Sequence, residues 1–454
     1  MADPAARPAR RVRGPRLDPV PTSLRAWTHG LAEAAAGPEV QAQLPYWQQQ
    51  LTHTPAPLLA ERPLDARRDT AGRQRRLRLT LPAARTAPLL TAVPAARRAG
   101  VDHVLLTGLA LAVRDRRRAL HGDAAAPGLL LRLEGHGRED RLVPGADTAR
   151  TVGWLTTEFP LHLDLSGTED TGAALGLVKE AVRALPAAGA GWGLLRHLDA
   201  AGAIALAEAP EPRLLFNYLG RFTATGEPWT PAPEAGDAIT ATTDPEQPCG
   251  HALEIGAFVH DRPEGPELTV QLGWPEDLFT EPEMQELAAA WFARLDALTR
   301  WAARPDAAAL TPSDVPLAPV TQADLDALPG VEDVLPLSPL QEGLLFHDRM
   351  QHGGDDELYT SLTALDLTGP LDRVALVRAV DRVVNRHSAL RAAFTTTAAG
   401  DPVQTVAARV RVPWTEHDLT GLDEERRDAE AARVARPRPP AASTWPARRC
   451  CAAP

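Results

Sequence analysis

Segments of strand period and segments of helical period follow one another along most of this chain, and that mixture limits it to α/β or α+β architectures. Arg75 to Leu81 alternate, with Leu77, Leu79 and Leu81 on one face. Leu129–Leu133, Leu214–Leu219, Leu253–Val259 and Leu268–Leu272 are short apolar or alternating runs that predict strands. Between them lie helical stripes. Leu24–Leu51 carries Trp27, Leu31, Leu44, Trp47 and Leu51 as anchors. Asp102 can cap a helix through Leu105, Leu106, Leu109 and Val113. Leu175–Leu185 stops at Pro186, and a Thr280/Glu283 capping box opens a helix that buries Leu287, Trp291, Leu295 and Leu298.

Residues 303–330 are rich in Pro, Ala and Asp with weak periodicity, which reads as a linker. A second patterned region begins at Val331. It has a short apolar segment to Phe346, a strand near Leu362–Leu367 and a helix with Leu376, Val380, Val383 and Val384, and Phe394 closes it. The pattern ends near Arg436. The 454 residues suffice for two or three domains.

Charge and composition exclude several function classes. The net charge of -11 argues against nucleic-acid binding. The cluster Arg114, Arg116, Arg117 and Arg118 reads as a solvated helix end. Basic charge is almost wholly arginine, since Lys179 is the only lysine, and the Arg/Ala/Pro bias implies a GC-rich gene. Cys249, Cys450 and Cys451 form neither a disulfide framework nor a zinc pattern, which suits a reducing cytoplasm. No apolar run approaches the roughly 18 residues of a membrane helix, and the basic N-terminus lacks the apolar core of a signal peptide.

Several blocks carry a family resemblance. They are Leu17–Ser23 with Leu24-Arg25-Ala26-Trp27; Leu133-Glu134-Gly135-His136-Gly137-Arg138-Glu139; Arg150–Thr156 with Phe159-Pro160; Gly191–Arg196, with Trp192 at a usual tyrosine position; and Leu215-Phe216-Asn217-Tyr218-Leu219-Gly220. In this order and spacing they resemble the epimerization class of the condensation and epimerization superfamily of nonribosomal peptide synthetases. Leu337-Ser338-Pro339-Leu340-Gln341-Glu342-Gly343-Leu344-Leu345-Phe346-His347 resembles the first block of condensation domains, and Arg386-His387-Ser388-Ala389-Leu390-Arg391 with Phe394 the second. Leu310–Val315 is similar to the exit of an epimerization domain. The resemblance implies a two-lobed fold like chloramphenicol acetyltransferase, here incomplete. Residues 17–302 would be the rear of an epimerization-type domain and residues 331–436 the front of a condensation domain.

The superfamily's His-His-x-x-x-Asp motif is absent, and the sequence holds no His-His pair. The first region starts just after its expected place and the second stops before it. Codon-level reading suggests why. The start Met1-Ala2 requires ATG-GC, which read one base later opens on tryptophan and permits Trp-Arg-Ile-Leu-Leu, similar to the stretch after the histidine motif. Ser443–Pro446 read one base earlier permits Phe-Asp-Leu-Ala, and Cys450-Cys451-Ala452 then permits Leu-Leu-Arg, similar to the next condensation-domain segment. Residues 1–16 and 437–454 are therefore expected to be out-of-frame or disordered. The prenylation-like ending Cys451–Pro454 is then an artefact of frame.

Epimerizing a thioester moves the Cα proton from one face to the other, which needs an acid/base group on each side. Taken alone, Glu134, at a strand end beside glycines, is either such a group or a solvated carboxylate. The resemblance makes it catalytic. Asn217 and Tyr218, polar within an apolar strand, either make structural hydrogen bonds or, by resemblance, line the substrate tunnel. Trp154 and Trp192 read as core or tunnel wall. His136 reads as holding its loop beside the tunnel rather than transferring protons. His347 and His387 read as structural, as do Ser338, Pro339, Gln341, Arg386 and Arg391 within their blocks. No bound cofactor or metal is expected; phosphopantetheine would arrive on a peptidyl carrier protein, and the other partners would be neighbouring synthetase modules. An enzyme fragment, inactive alone, is one functional class; a non-catalytic carrier-docking module is the other.

Overall fold

The structure, a computed structural model, describes residues 18–52, 62–122, 128–222, 243–350, 363, 365, 367–434 and 448–449. Two compact units divide the chain, Met1–Ala308 and Ala309–Pro454. Both mix helices with an antiparallel or mixed sheet.

In the first unit the predicted helical stretch at the start is three helices, α1 (Leu24–Ala35), α2 (Pro38–Gln41) and α3 (Leu44–Gln50). Gly37-Pro38 and Pro45 divide it, since proline is best accommodated in a first helical turn. The strands are β1 (Gln74–Leu81), β2 (Gly128–Gly135), β3 (Thr157–Asp164), β4 (Leu214–Phe222), β5 (Leu253–Arg262) and β6 (Gly265–Pro275). They form one sheet in the order β1-β6-β5-β4-β2-β3. The pairs β5–β4 and β4–β2 are parallel and the others antiparallel.

Alternation gives the sheet two unlike faces. Leu253, Ile255, Ala257 and Val259 of β5 are buried, and so are Leu214 and Phe216 of β4. After the short α4 (Ala83–Leu90) and α5 (Ala92–Arg97), α6 (Val101–His121) and α10 (Glu281–Ala302), the long helices of the unit, pack against this apolar face. Each fully buried leucine there contributes about 1.5–3 kcal/mol. The Trp291 indole N–H donates to the Leu105 carbonyl at 2.9 Å. A Cβ on Gly108 would lie 2.7 Å from Leu295 Cδ2 and 3.1 Å from Trp291 Cδ1, so glycine lets the two helices close. The predicted Thr280/Glu283 box opens α10, with the Thr280 N–H donating to Glu283 Oε2 at 2.8 Å.

Two local expectations are corrected. Asp102 lies in the first turn of α6 but does not cap it. Gly100 is the N-cap, and its N–H donates to His103 Nδ1 at 3.0 Å. The arginine cluster at the end of α6 is not uniformly solvated. Arg114 and Arg117 are buried, and they donate to the carbonyls of Leu165 and Thr168 and of Gly128 respectively. Carbonyls at the ends of strands and loops supply the acceptors that make this burial tolerable. Between β3 and β4 lie α7 (Thr171–Arg183), α8 (Ala190–His197) and α9 (Ala200–Ala205). Lys179 of α7 is fully buried, and its ammonium donates to the Arg97 carbonyl at 2.7 Å. Trp192 of α8 is buried in the core, 5.7 Å from Trp47 between ring centroids.

The second unit has a smaller sheet in the order β10-β8-β9-β7, from β7 (Val331–Pro336), β8 (Ala392–Thr396), β9 (Pro402–Ala407) and β10 (Arg448–Arg449). The segment read as a linker folds into it from Ala309 onward. Thr311 and Thr321 accept bonds in Thr-x-x-Asp capping boxes with Asp314 and Asp324, and the second opens α11 (Gln322–Asp326). Val315 and Leu325 join Val334 and Val403 in the unit's core. Next come α12 (Pro339–Met350) and α13 (Arg373–Arg386). In α13 Val384 is buried, Leu376 and Val380 are half-buried and Val383 is exposed. Of the strand expected near 362–367, Thr363, Leu365 and Leu367 lie outside any strand; the other positions lie outside the described residues. The same holds for residues 1–16 and for 437–454 apart from Arg448–Arg449. Those two pair with Phe394 and Ala393, against the expected disorder. No helix among the described residues is long and apolar enough to cross a membrane.

Candidate functional site

The face of the first sheet opposite its helices is polar and partly buried. Strand parity places Arg132 and Glu134 of β2, Asn217 of β4, and Glu254 and Gly256 of β5 on it. Leu133 is in register with Phe216, so Glu134 and Asn217 sit side by side on neighbouring parallel strands, and Asn217 Nδ2 donates to Glu134 Oε2. Gly256 is the cross-strand partner of Asn217, and a Cβ built there would meet nothing within 4 Å. The surface beside Glu134 and Asn217 is thus open.

Two carboxyl groups on this face are driven in opposite directions. Burial raises the proton affinity of Glu134 above the usual glutamate range, and the neighbouring Glu158 and Glu254 add to the rise. His251 and the Asn217 hydrogen bond oppose it without cancelling it. The His251 imidazole, with Nδ1 3.9 Å from Glu254 Oε1, lowers Glu254, supported by a hydrogen bond from Gln74 Nε2 at 3.1 Å. A carboxyl inclined to hold its proton therefore lies near one inclined to lose it, the environment-driven split that separates acid from base roles in enzymes.

Beyond Glu134 the block becomes a clamp. Gly137 has φ +64°, and a Cβ on it would fall 1.6 Å from the Leu155 carbonyl oxygen. The Arg138 guanidinium donates to the carbonyls of Thr148 and Thr151. Asp140 Oδ1 accepts from both the backbone N–H and the hydroxyl of Thr148. The Thr151 hydroxyl donates to the Thr22 carbonyl at 2.6 Å. The Glu-Gly-His-Gly-Arg-Glu and Thr-Val-Gly-Trp blocks are thereby one packed structure.

The structure separates several candidates. Tyr218 follows Asn217 in the same strand and so points to the other face, where it packs beside the core. Burial raises its phenol, with the charge of Asp102 adding to the effect. Trp154 is not in the core: it is 90% exposed, on the loop that Arg138 clamps. His136 is mostly exposed, and its Nδ1 accepts from the Arg138 N–H at 2.9 Å within the loop. In the second unit, Ser338 Oγ accepts from the Gln341 N–H at 3.3 Å while Gln341 Oε1 accepts from the Ser338 N–H at 2.8 Å, a capping box around Pro339. Arg391 is buried and forks onto both oxygens of Glu332 at 2.9 and 3.1 Å. Arg386 and His387 are exposed at the end of α13.

Glu158, Arg132, Glu254 and His251 were not anticipated. Glu158 is the cross-strand partner of Glu134. The sequence reading places no strand over residues 157–164, and the register that faces Glu158 to Glu134 is a tertiary fact. Burial pushes the Cys249 thiol up to about 11, which keeps it protonated and unreactive.

The model of the Condensation domain family matches residues 12–315 and 331–438. A linear gramicidin synthase component of Brevibacillus parabrevis is 31% identical over 427 residues, 90% of this chain and 5% of that protein. Vanchrobactin synthetase VabF of Vibrio anguillarum is 30% identical over 423 residues, again 90% of this chain and 14% of that protein. The chain thus spans a small part of the relatives it matches. Among solved structures, the epimerization domain from the third module of tyrocidine synthetase B is similar at 28% identity with a TM-score of 0.55, covering 65% of this chain and 63% of that one. The mixed α/β class agrees with this likeness. The chain belongs to the Condensation domain family, within the condensation and epimerization superfamily of nonribosomal peptide synthetases.

Proposed function

We propose that the first unit carries one side of an epimerization site for a carrier-bound aminoacyl or peptidyl thioester. The observation that supports this is the half-buried Glu134, with raised proton affinity and oriented by Asn217, on an open polar sheet face. In this reading Glu134 transfers a proton to or from one face of Cα. A group on the other face, from a His-His-x-x-x-Asp segment, does the converse, and amide donors stabilise the enolate oxygen between. The space above Gly256 fits a thin substrate arm such as phosphopantetheine, delivered by a carrier protein rather than held by this chain. The second unit, with its capped Ser-Pro-Leu-Gln block, is read as the front of a condensation domain that would form the next amide bond. Since the 454 residues contain no His-His pair, they are expected to be inactive alone.

The exposure of Val152 at 76% and Trp154 at 90% favours a second reading, a module that docks a carrier without chemistry. One assay separates the two. The chain is incubated with an L-aminoacyl carrier protein in deuterated water, alone and extended upstream by a His-His-x-x-x-Asp segment. Deuterium at Cα is expected with the extended chain only, and Glu134→Gln should slow its appearance roughly 10²–10⁴-fold. Carrier binding with no exchange in either form supports docking. Full exchange by the Glu134→Gln variant overturns the assignment.

A further inference from the structure

Arg132, Glu134 and Glu158 form a charge arrangement that the proposed reaction does not by itself require. Glu134 and Glu158 are directly opposed on the antiparallel strands β2 and β3, where side chains of a pair share a face and stand close. Like charges in that position repel. Arg132, two residues before Glu134 and on the same face, donates from Nη1 to Glu158 Oε2 at 3.2 Å and from Nη2 to Glu211 Oε2. The Arg132 side chain is only 20% exposed, so its charge is incompletely screened, while Glu158 is 43% exposed. The other groups bearing on Glu134 come from the far side: neutral Asn217 on β4, and Glu254 with His251 at the start of β5.

We propose that Arg132 and Glu158 act together as an electrostatic partner of Glu134: Glu158 opposes its ionisation, and Arg132 limits how strongly Glu158 does so. The two are positioning residues that touch no substrate. Their effect passes through the Glu134 carboxyl, and the pair adjusts the pH at which that carboxyl is half protonated. The inference rests on the reading of Glu134 as an acid/base group for its relevance but not for its test.

The test is direct titration of Glu134 in the full chain. Glutamate is labelled with ¹³C at the carboxyl, and the Glu134 resonance is assigned by its loss in Glu134→Gln. Glu158→Gln should move the Glu134 midpoint to lower pH. Arg132→Gln should move it to higher pH, because Glu158 is then unpaired. In the double variant the Arg132 effect should vanish if it acts through Glu158. Midpoints that stay put in both single variants, or move the same way, overturn the proposal. Should Arg132→Gln fail to fold, Arg132→Lys keeps the charge but gives up the fork, and a smaller upward shift is expected; no shift there, with none in Glu158→Gln, also overturns it. Titration needs no turnover, so the outcomes are separable. A responsive midpoint with an indifferent Glu134→Gln exchange assay sinks the epimerization reading alone.

Discussion

Replacing Gly137 by alanine tests whether the glycine spacing of the first block is a matter of backbone geometry. The position has φ +64°, a left-handed conformation that costs a non-glycine residue about 1–2 kcal/mol. The added Cβ would also meet the Leu155 carbonyl oxygen at 1.6 Å, so that backbone must retreat by roughly 1.4 Å to reach even 3.0 Å. Leu155 belongs to the loop that Arg138 clamps through the carbonyls of Thr148 and Thr151. Loosening that clamp forfeits hydrogen bonds to a charged donor worth about 1.5–3 kcal/mol each. With half of one such bond lost, the total local cost is about 2–3.5 kcal/mol. Gly145→Ala is the control: φ is +77° there, but an added Cβ meets nothing within 4 Å, so only the backbone preference is lost. Hydrogen exchange of peptides spanning residues 129–165 is the assay. The backbone preference is lost in both variants, so they differ by the lost half bond, about 0.75–1.5 kcal/mol, and exchange at 147–157 should accelerate roughly 4- to 12-fold more in Gly137→Ala than in Gly145→Ala. Equal acceleration would show that the Leu155 approach carries no weight.

Two further outcomes arise from the charges. Glu134 binds its proton more tightly folded than unfolded, so the stability linked to it is fully present below the unfolded glutamate range and is lost as pH rises through the folded value. Glu134→Gln should therefore raise the melting temperature of the first unit at neutral pH and lose that advantage in acid; equal gains at both pH values would contradict the burial argument. Arg391→Met should destabilise the second unit by about 2 kcal/mol, less than the 3–5 kcal/mol of a fully buried pair because Glu332 keeps 40% exposure, and it should show as faster exchange at β7 and β9.

Much of the first unit was legible because its strands alternate and its long helices carry unbroken apolar stripes. The same alternation could have separated Asn217 from Tyr218, since adjacent strand residues cannot share a face. The capped turns at Thr311 and Thr321 were likewise readable as Thr-x-x-Asp, although proline and alanine around them suggested a linker. Other features had no local signal. Trp154 is an aromatic near Val152 and Leu155, and nothing in that local pattern signals its 90% exposure. Arg114 and Arg117 read as solvated because their acceptors are carbonyls far along the chain. Glu158 became part of the site through strand register alone.

The burial of Lys179 makes the first unit its own reporter of integrity. It is the sole lysine in the sequence, so amine-directed reagents have one side-chain target, and the fold hides it on the inner side of α7 with its ammonium on the Arg97 carbonyl. An acylating label applied to the native chain does not reach Lys179. The same label during thermal or chemical opening marks Lys179 once per molecule unfolded.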